Sequence, residues 1–141
     1  MIPTHIVIHH SLTADSQTVS WDAIRYYHTR TLGYVHIGYQ VGIELVNSRH
    51  EILLGRMLNQ VGAHCKENGM NRTSIGVCMV GNFDQAPPPA GQLDLLIKFT
   101  RSMMALLGIP AANVQRHSDH APYKSCPGKL FPWTEFIHRL T

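Results

Sequence analysis

Residues 117–128 read His-Ser-Asp-His-Ala-Pro-Tyr-Lys-Ser-Cys-Pro-Gly, which places Cys126 nine residues after His117. Near the start of the chain, an apolar run ends in the histidine pair His9 and His10. Two imidazoles and one thiolate can hold a zinc ion and leave a fourth position open for water, as in catalytic sites. Structural zinc is usually closed by four protein ligands instead. These residues therefore predict a zinc hydrolase.

The segment between His117 and Cys126 must be folded if both residues bind one ion. Nine residues can reach about 30 Å when extended, so the chain has to turn back on itself. Pro122 and Pro127 suit such a loop because they reduce the conformational entropy lost in holding it. His120 lies in the same segment and competes as a ligand, and the spacing alone does not exclude it.

The histidine pair leaves a second choice open. His9 and His10 are adjacent on a predicted strand, so their side chains point to opposite faces. At most one of them can face a given site. A packed or exposed histidine is the more common fate of either residue taken alone.

Composition is that of one soluble domain spanning residues 1–141. Charged residues make up 15% and apolar residues 44%, and no apolar run approaches the ~20 residues of a membrane span. No basic segment precedes an apolar core at the N-terminus, so we expect cytoplasmic synthesis without a secretory signal. The net charge of +3 suits an anionic partner such as a cell wall, although so small a charge decides little.

The three cysteines cannot all pair with one another. In the absence of a visible secretory signal, reduced thiols are expected. Cys78 lies in an apolar run and is predicted to be a small buried hydrophobe. Cys65 lies in a polar stretch, where it is either a free thiol or a bystander near a site. A Cys65–Cys78 disulfide is disfavoured.

Hydrophobic periodicity predicts alternating strands and helices. Ser20 and Gly33 are expected to begin and end a helix with an apolar stripe at Trp21, Ile24, His28 and Leu32. The strands are predicted over residues 4–10, 39–46, 51–54, 74–80 and 113–116, with a hairpin turn at 47–50. Two more helices are predicted, one between the 87–89 prolines and Gly108 and one around residues 133–140. The alternation predicts an α/β fold with a central sheet flanked by helices.

Ordered motifs along nearly the whole chain resemble the type 2 family of zinc-dependent N-acetylmuramoyl-L-alanine amidases. This family includes bacteriophage lysozyme-type amidases and peptidoglycan recognition proteins. The matching segments are Ile-His-His-Ser at 8–11, Ile-Gly-Tyr at 37–39, Asn-Arg-Thr-Ser-Ile-Gly-Val at 71–77, Gly-Asn-Phe at 81–83, and 117–128. The resemblance implies a single-domain mixed β-sheet fold of the peptidoglycan recognition protein type.

The resemblance also implies roles for individual residues. The implied zinc ligands are His9, His117 and Cys126, and the implied catalytic residues are Tyr39 and Lys124. Contacts with the substrate are expected from His36, His64 and Asn71. One departure is Gln40, since many relatives have histidine after the tyrosine, so a supporting contact is expected to differ.

The implied activity is hydrolysis of the amide bond between N-acetylmuramic acid and L-alanine in peptidoglycan. A bacteriolytic phage endolysin, released to the wall through a holin, is the favoured role, with a cytosolic enzyme of wall-fragment recycling as the alternative. Two other classes are a non-catalytic peptidoglycan-binding module and a cysteine hydrolase using Cys126. We expect a monomer with no nucleic-acid partner and no membrane insertion.

Overall fold

The computed structural model describes residues 1–13 and 20–141. Its centre is a sheet of five strands in the order β3-β2-β4-β1-β5. The strands are β1 His5–His10, β2 Val41–Val46, β3 Arg49–Leu54, β4 Ser74–Met79 and β5 Val114–Arg116. Strand β1 runs parallel to β4 and β5, and β2 runs parallel to β4, whereas β3 is antiparallel to β2. The predicted mixed α/β sheet is confirmed.

Helices flank this sheet. The α-helices are α1 Trp21–Tyr26, α2 Ala90–Leu107, α3 His117–His120 and α4 Trp133–His138. Ser20 caps the N-terminus of α1 as predicted, because its side chain accepts a hydrogen bond from the backbone N–H of Ala23. The helix continues as a π-helical turn, Tyr27–Thr31, and short 3₁₀ helices lie at Glu67–Arg72 and Ala111–Asn113. Within the described part of the chain, no helix combines the length and apolar character that crossing a bilayer requires.

The sequence prediction needs three local corrections. The hairpin turn is only Asn47-Ser48, because Arg49 already pairs with Val46 in the antiparallel ladder. Asn47 has a φ of 57°, which asparagine tolerates better than most residues, and this lets two residues close the hairpin. Tyr39 precedes β2 and does not lie on a strand. Leu32 is 44% exposed. It follows the π-helical turn, whose residues no longer keep the α-helical spacing on which the predicted stripe rests.

One face of the sheet forms the main apolar core. Its β1 residues are Ile6 and Ile8, and both are fully buried. Helix α2 covers this face with Leu93, Leu96 and Ile97 and ends at Gly108, which has a φ of +66°. A left-handed residue at this position is favourable for glycine because it has no Cβ to clash.

The opposite face of the sheet is built from different side chains. Strand β1 places Val7 and His9 on it, because successive strand residues alternate between faces. Gly42 and Gly76 leave room for two rings. A Cβ at Gly42 would lie 2.5 Å from the Trp21 ring, and one at Gly76 would lie 2.5 Å from the His64 ring. This face therefore holds a layer of aromatic and imidazole rings directly on the sheet.

Candidate active site

His9 lies near the carboxyl end of β1, in the ring layer, with 1% of its surface exposed. Its Nε2 atom is 3.0 Å from Nδ1 of His64, and its Nδ1 atom is 3.7 Å from Sγ of Cys126. Burial, followed by the neighbouring His64 and His117, holds the pKa of His9 well below its usual value. The imidazole is therefore neutral at physiological pH, as a metal ligand must be.

His117 follows β5 directly, as predicted. It is the first residue of the short helix α3, whereas the sequence predicted a loop at this position. The segment that follows turns back, and the backbone N–H of Ser118 donates to the carbonyl of Cys126 at 2.9 Å. This contact brings the two ends of the predicted loop together. Burial, followed by the nearby Lys124 ammonium, lowers the pKa of His117 to about 4, so this ring is neutral as well.

Cys126 completes the group. Its sulfur accepts a hydrogen bond from the backbone N–H of His10 at 3.4 Å. One ligand atom from each of His9, His117 and Cys126 lies within 4.8 Å of the others, and all three residues are buried. Burial raises the pKa of the Cys126 thiol to about 12. A bound cation would replace that proton, because metal binding and thiol deprotonation are coupled.

The donor set fits zinc. Two neutral imidazoles and one potential thiolate are borderline and soft ligands, which favour zinc over magnesium or calcium. A His9–Sγ separation of 3.7 Å is close to the roughly 3.5 Å expected between two ligands of a tetrahedral zinc ion. Three protein donors beside an open cavity leave room for water or substrate.

Two competing ligands lie elsewhere. The ring of His10 points to the other face of the sheet, where its Nδ1 accepts from the backbone N–H of Phe83 at 3.1 Å. Both nitrogens of His120 are engaged, one with Asn68 at 3.0 Å and one with Gln115 at 2.9 Å. The sequence left open whether His9 or His10 faces the site and whether His120 is a ligand. In the structure, the rings of His10 and His120 bind other partners, and His9 and His117 lie beside Cys126.

A cavity of about 540 Å³ opens over the group. The predicted site residues in its wall are His9, His64, His117, Cys126, Tyr39 and Lys124. Tyr34, His28, Tyr123 and Ser125 also contribute to the wall, and the sequence analysis did not assign them to the site. His28 lies in the π-helical turn and was predicted only as part of a helical stripe, and Tyr34 follows that turn without a motif, so no sequence signal marked either for the site.

Tyr39 packs within the ring layer, with its ring centroid 5.2 Å from that of His9 and 6.3 Å from that of Trp21. The side chain of Cys78 lies close to its hydroxyl. Burial is the largest cause that raises the pKa of Tyr39 well above its usual value, and Cys78 adds to it. The phenol is therefore protonated and is a hydrogen-bond donor at neutral pH.

Lys124 lies on the exposed rim of the cavity, between His117 and Cys126 in sequence. Its backbone N–H donates to the Ala121 carbonyl at 2.9 Å, which fixes the loop, while the side chain extends over the Tyr123 ring. The ammonium is near enough to lower the pKa values of His9 and His117. A cationic side chain thus lies beside the group of potential ligands.

The three predicted substrate contacts occupy different positions. His64 lines the cavity, and burial lowers its pKa to about 3. Asn71 is outside the described cavity wall, and its Oδ1 accepts from the backbone N–H groups of His64 and Cys65, at 2.8 Å each. His36 lies 3.3 Å from Arg25 and is likewise outside that wall. The structure brings only His64 to the group, and contact of the other two with substrate stays a prediction.

Comparison with known proteins points to one family. A profile described as N-acetylmuramoyl-L-alanine amidase matches residues 1–129. The chain is 32% identical over 136 residues to the endolysin of Klebsiella phage KP32, which covers 94% of this chain and 85% of that protein. The amidase LysC from Clostridium intestinale URNW superposes with a TM-score of 0.84 at 29% identity, over 99% of this chain and 85% of that one. Wild-type Drosophila PGRP-LB does so with a TM-score of 0.77 at 26% identity, over 96% and 81% of the two chains.

Proposed function

The chain belongs to the N-acetylmuramoyl-L-alanine amidase family, and we propose that His9, His117 and Cys126 hold its catalytic zinc ion. The enzyme hydrolyses the amide bond between N-acetylmuramic acid and L-alanine in peptidoglycan, as a phage-type endolysin. The observation that carries the zinc proposal is the convergence of one donor atom from each of these buried residues to within 4.8 Å.

A zinc ion held by these three residues would supply Lewis-acid chemistry, which would polarise the scissile carbonyl and make the attacking water more acidic. The residues of the chain supply orientation. We assign the Nε2 proton of His9 to the hydrogen bond with His64, which frees Nδ1 toward Cys126. His64 can accept this proton because its low pKa keeps it neutral. Fixing the tautomer of a ligand in this way is a common function of such outer contacts.

Lys124 is proposed to stabilise the charge that develops on the carbonyl oxygen. Water adds to the carbonyl carbon, the bond to nitrogen breaks, and a proton must reach the departing amine of L-alanine. The Lys124 ammonium donates to the oxyanion from the rim, which favours the transition state over the uncharged carbonyl. The hydroxyl of Tyr39 is proposed to orient the water or the oxyanion as a neutral donor and to assist the proton transfer.

The decisive experiment combines metal analysis with mass spectrometry of digested peptidoglycan. The purified protein is expected to contain about one zinc ion per chain, removable by a chelator and restored by adding zinc. Digestion should release stem peptides with a new L-alanine N-terminus and leave the glycan strands intact. Full activity in a protein without any transition metal would disprove the zinc proposal, and activity through Cys126 as a nucleophile would then be the alternative.

The route to the substrate and the oligomeric state are further proposals. We propose that the enzyme acts as a monomer and reaches the wall by holin-dependent release. Light scattering measures the oligomeric state directly. Holin-dependent release is tested by comparing the lysis of host cells that express the enzyme with and without a holin, and equal lysis in both would contradict it.

A further inference from the structure

A second cluster of potential ligands lies behind the first and shares His117 with it. The cluster consists of Cys65, Glu67 and His117, each of which offers one ligand atom within 4.8 Å of the others. Oε2 of Glu67 is 3.8 Å from Sγ of Cys65 and 3.9 Å from Nε2 of His117. The second distance is too long for a hydrogen bond. The Cys65 thiol thus donates one long hydrogen bond to Oε2 of Glu67, whereas Nε2 of His117 has no partner among the described residues.

His117 gives independent evidence that something occupies this point. The residue is 5% exposed, and its Nε2 atom is buried and without a hydrogen-bond partner among the described residues. Buried polar atoms in folded proteins nearly always have a partner, so an unpaired one indicates an unseen ion or water. The carboxylate oxygen Oε2 of Glu67 lies 3.9 Å from this atom.

We propose that Cys65, Glu67 and His117 bind a second zinc ion, with the His117 ring bridging it to the first. With bond lengths of about 2.0–2.3 Å, two ligands of a tetrahedral zinc ion are roughly 3.3–3.6 Å apart. The observed 3.8 and 3.9 Å need only a small closure to meet that geometry. The sulfur, nitrogen and oxygen donors favour zinc over magnesium and calcium, which take oxygen ligands.

Neighbouring contacts hold the cluster in place. The Tyr123 hydroxyl donates to the other carboxylate oxygen of Glu67, Oε1, at 2.5 Å. This leaves Oε2 directed at Cys65 and His117. On the other side, Asn71 Oδ1 binds the backbone N–H of Cys65. The segment that carries Cys65 and Glu67 is thus fixed at both ends of the cluster.

Occupation of this site is expected to inhibit the amidase, an effect that rests on the proposed role of His117 at the first ion. Binding releases the thiol proton of Cys65 and the remaining ring proton of His117 to solvent, which leaves an imidazolate between two ions. Because both ions use the His117 ring, closing that ring onto Cys65 and Glu67 disturbs its geometry at the first ion. The first ion then polarises water and carbonyl less strongly. Enzyme with one zinc ion is active, and excess zinc reduces that activity.

Zinc titration of the metal-free protein tests the proposal. The wild type should bind about two ions per chain, one tightly and one more weakly, and lose most of its activity as the second binds. Cys65→Ser and Glu67→Gln should bind one tight ion, keep the activity of the one-zinc enzyme and lose the inhibition. Cys78→Ser, which changes a buried thiol outside the cluster, is the matched control and should bind two.

Cobalt substitution identifies the ligands by a readout independent of activity. Each thiolate bound to Co²⁺ adds a charge-transfer band in the near ultraviolet, so the band should grow with the second equivalent in the wild type but not in Cys65→Ser. Cys126→Ser should lose the tight ion and retain the weak one. Saturation of the wild type at one ion, or a second ion that persists in Cys65→Ser, overturns the proposal. If Cys65→Ser loses the tight ion instead, the ligand assignment of the first site is wrong.

Discussion

The two faces of the central sheet are built from the same strands, but one forms the apolar core and the other carries the potential zinc ligands. On the face beneath α2, Ile6 and Ile8 of β1 meet Leu96 in an apolar core. On the opposite face, His9 of the same strand lies 5.2 Å from the ring of Tyr39 and 3.0 Å from the ring of His64. The first face stabilises the fold through burial of apolar surface. The second exposes neutral nitrogen and sulfur donors to a cavity.

This difference shows that the alternation of side chains along a strand is enough to place stabilising residues on one face and potential zinc ligands on the other. Because neighbouring residues alternate between faces, one strand supplies core residues and a potential ligand without compromise. Glycines on the ring face reinforce the separation, since Gly42 and Gly76 leave space that Trp21 and His64 fill. Substitutions on the ring face should therefore change zinc binding and turnover, whereas those on the core face should change stability.

The largest effect is expected on the ring side from Cys126→Ser. It should abolish both zinc binding and activity, because a serine hydroxyl is a poor zinc ligand at neutral pH. Cys126→Asp should keep partial function, since carboxylates are acceptable zinc ligands. Metal content and turnover of the folded protein measure this. Cys65→Ser and Cys78→Ser are the controls that should retain the tight ion, and full zinc occupancy in Cys126→Ser would exclude this residue as a ligand.

A smaller loss, confined to turnover, is expected from Tyr39→Phe and Lys124→Ala. Both variants should retain zinc, and Lys124→Ala should lose about 10²–10³-fold in kcat if the ammonium stabilises the oxyanion. The matched controls are Tyr26→Phe and Lys129→Ala, which change exposed residues outside the described cavity wall. Near-normal kcat in both site variants would confine catalysis to the metal and its water.

Gly76→Ala tests the ring layer without changing a potential ligand. The added Cβ would lie 2.5 Å from the His64 ring, so the ring must move and its contact with His9 must loosen. Zinc affinity is expected to fall by about 10–100-fold, the usual cost of losing an outer contact of a metal ligand. Competition with a chromophoric chelator measures the affinity. Gly91→Ala, on α2, is the control, and unchanged affinity in both variants would show that His64 does not orient His9.

The smallest effect on zinc binding and catalysis is expected on the core face, from Leu96→Ala. Leu96 is fully buried, so truncation should lower the free energy of unfolding by about 2–5 kcal/mol. Leu106→Ala changes an exposed residue of the same helix and should change the free energy of unfolding by less than about 0.5 kcal/mol. Denaturant titration measures both. Zinc content and kcat of the folded protein should be unchanged, and a specific loss of zinc in Leu96→Ala would show that the two faces are not separable.

The fold was largely predictable from local patterns, and the site only in part. Apolar runs correctly located β1 and β4, and capping residues located the start of α1 and the end of α2. The π-helical turn after α1 was missed because Ile24, His28 and Leu32 are spaced as in an α-helix. The position of Tyr39 ahead of β2 was missed because a tyrosine beside a valine-rich segment also suits a strand.

By itself, the sequence determined the chemical types of the donors and the order of the elements that carry them. The proposed ligands His9, His117 and Cys126 lie in local motifs, which is why the family resemblance could point to them. Only the tertiary structure decided that His9 and not His10 joins the group of potential ligands. It also decided that Asn71 holds the segment carrying His64 and Cys65, and that Glu67 lies beside His117. Local patterns are set by neighbouring residues, whereas these contacts join segments far apart in the chain. They exist only once the parallel strands have aligned.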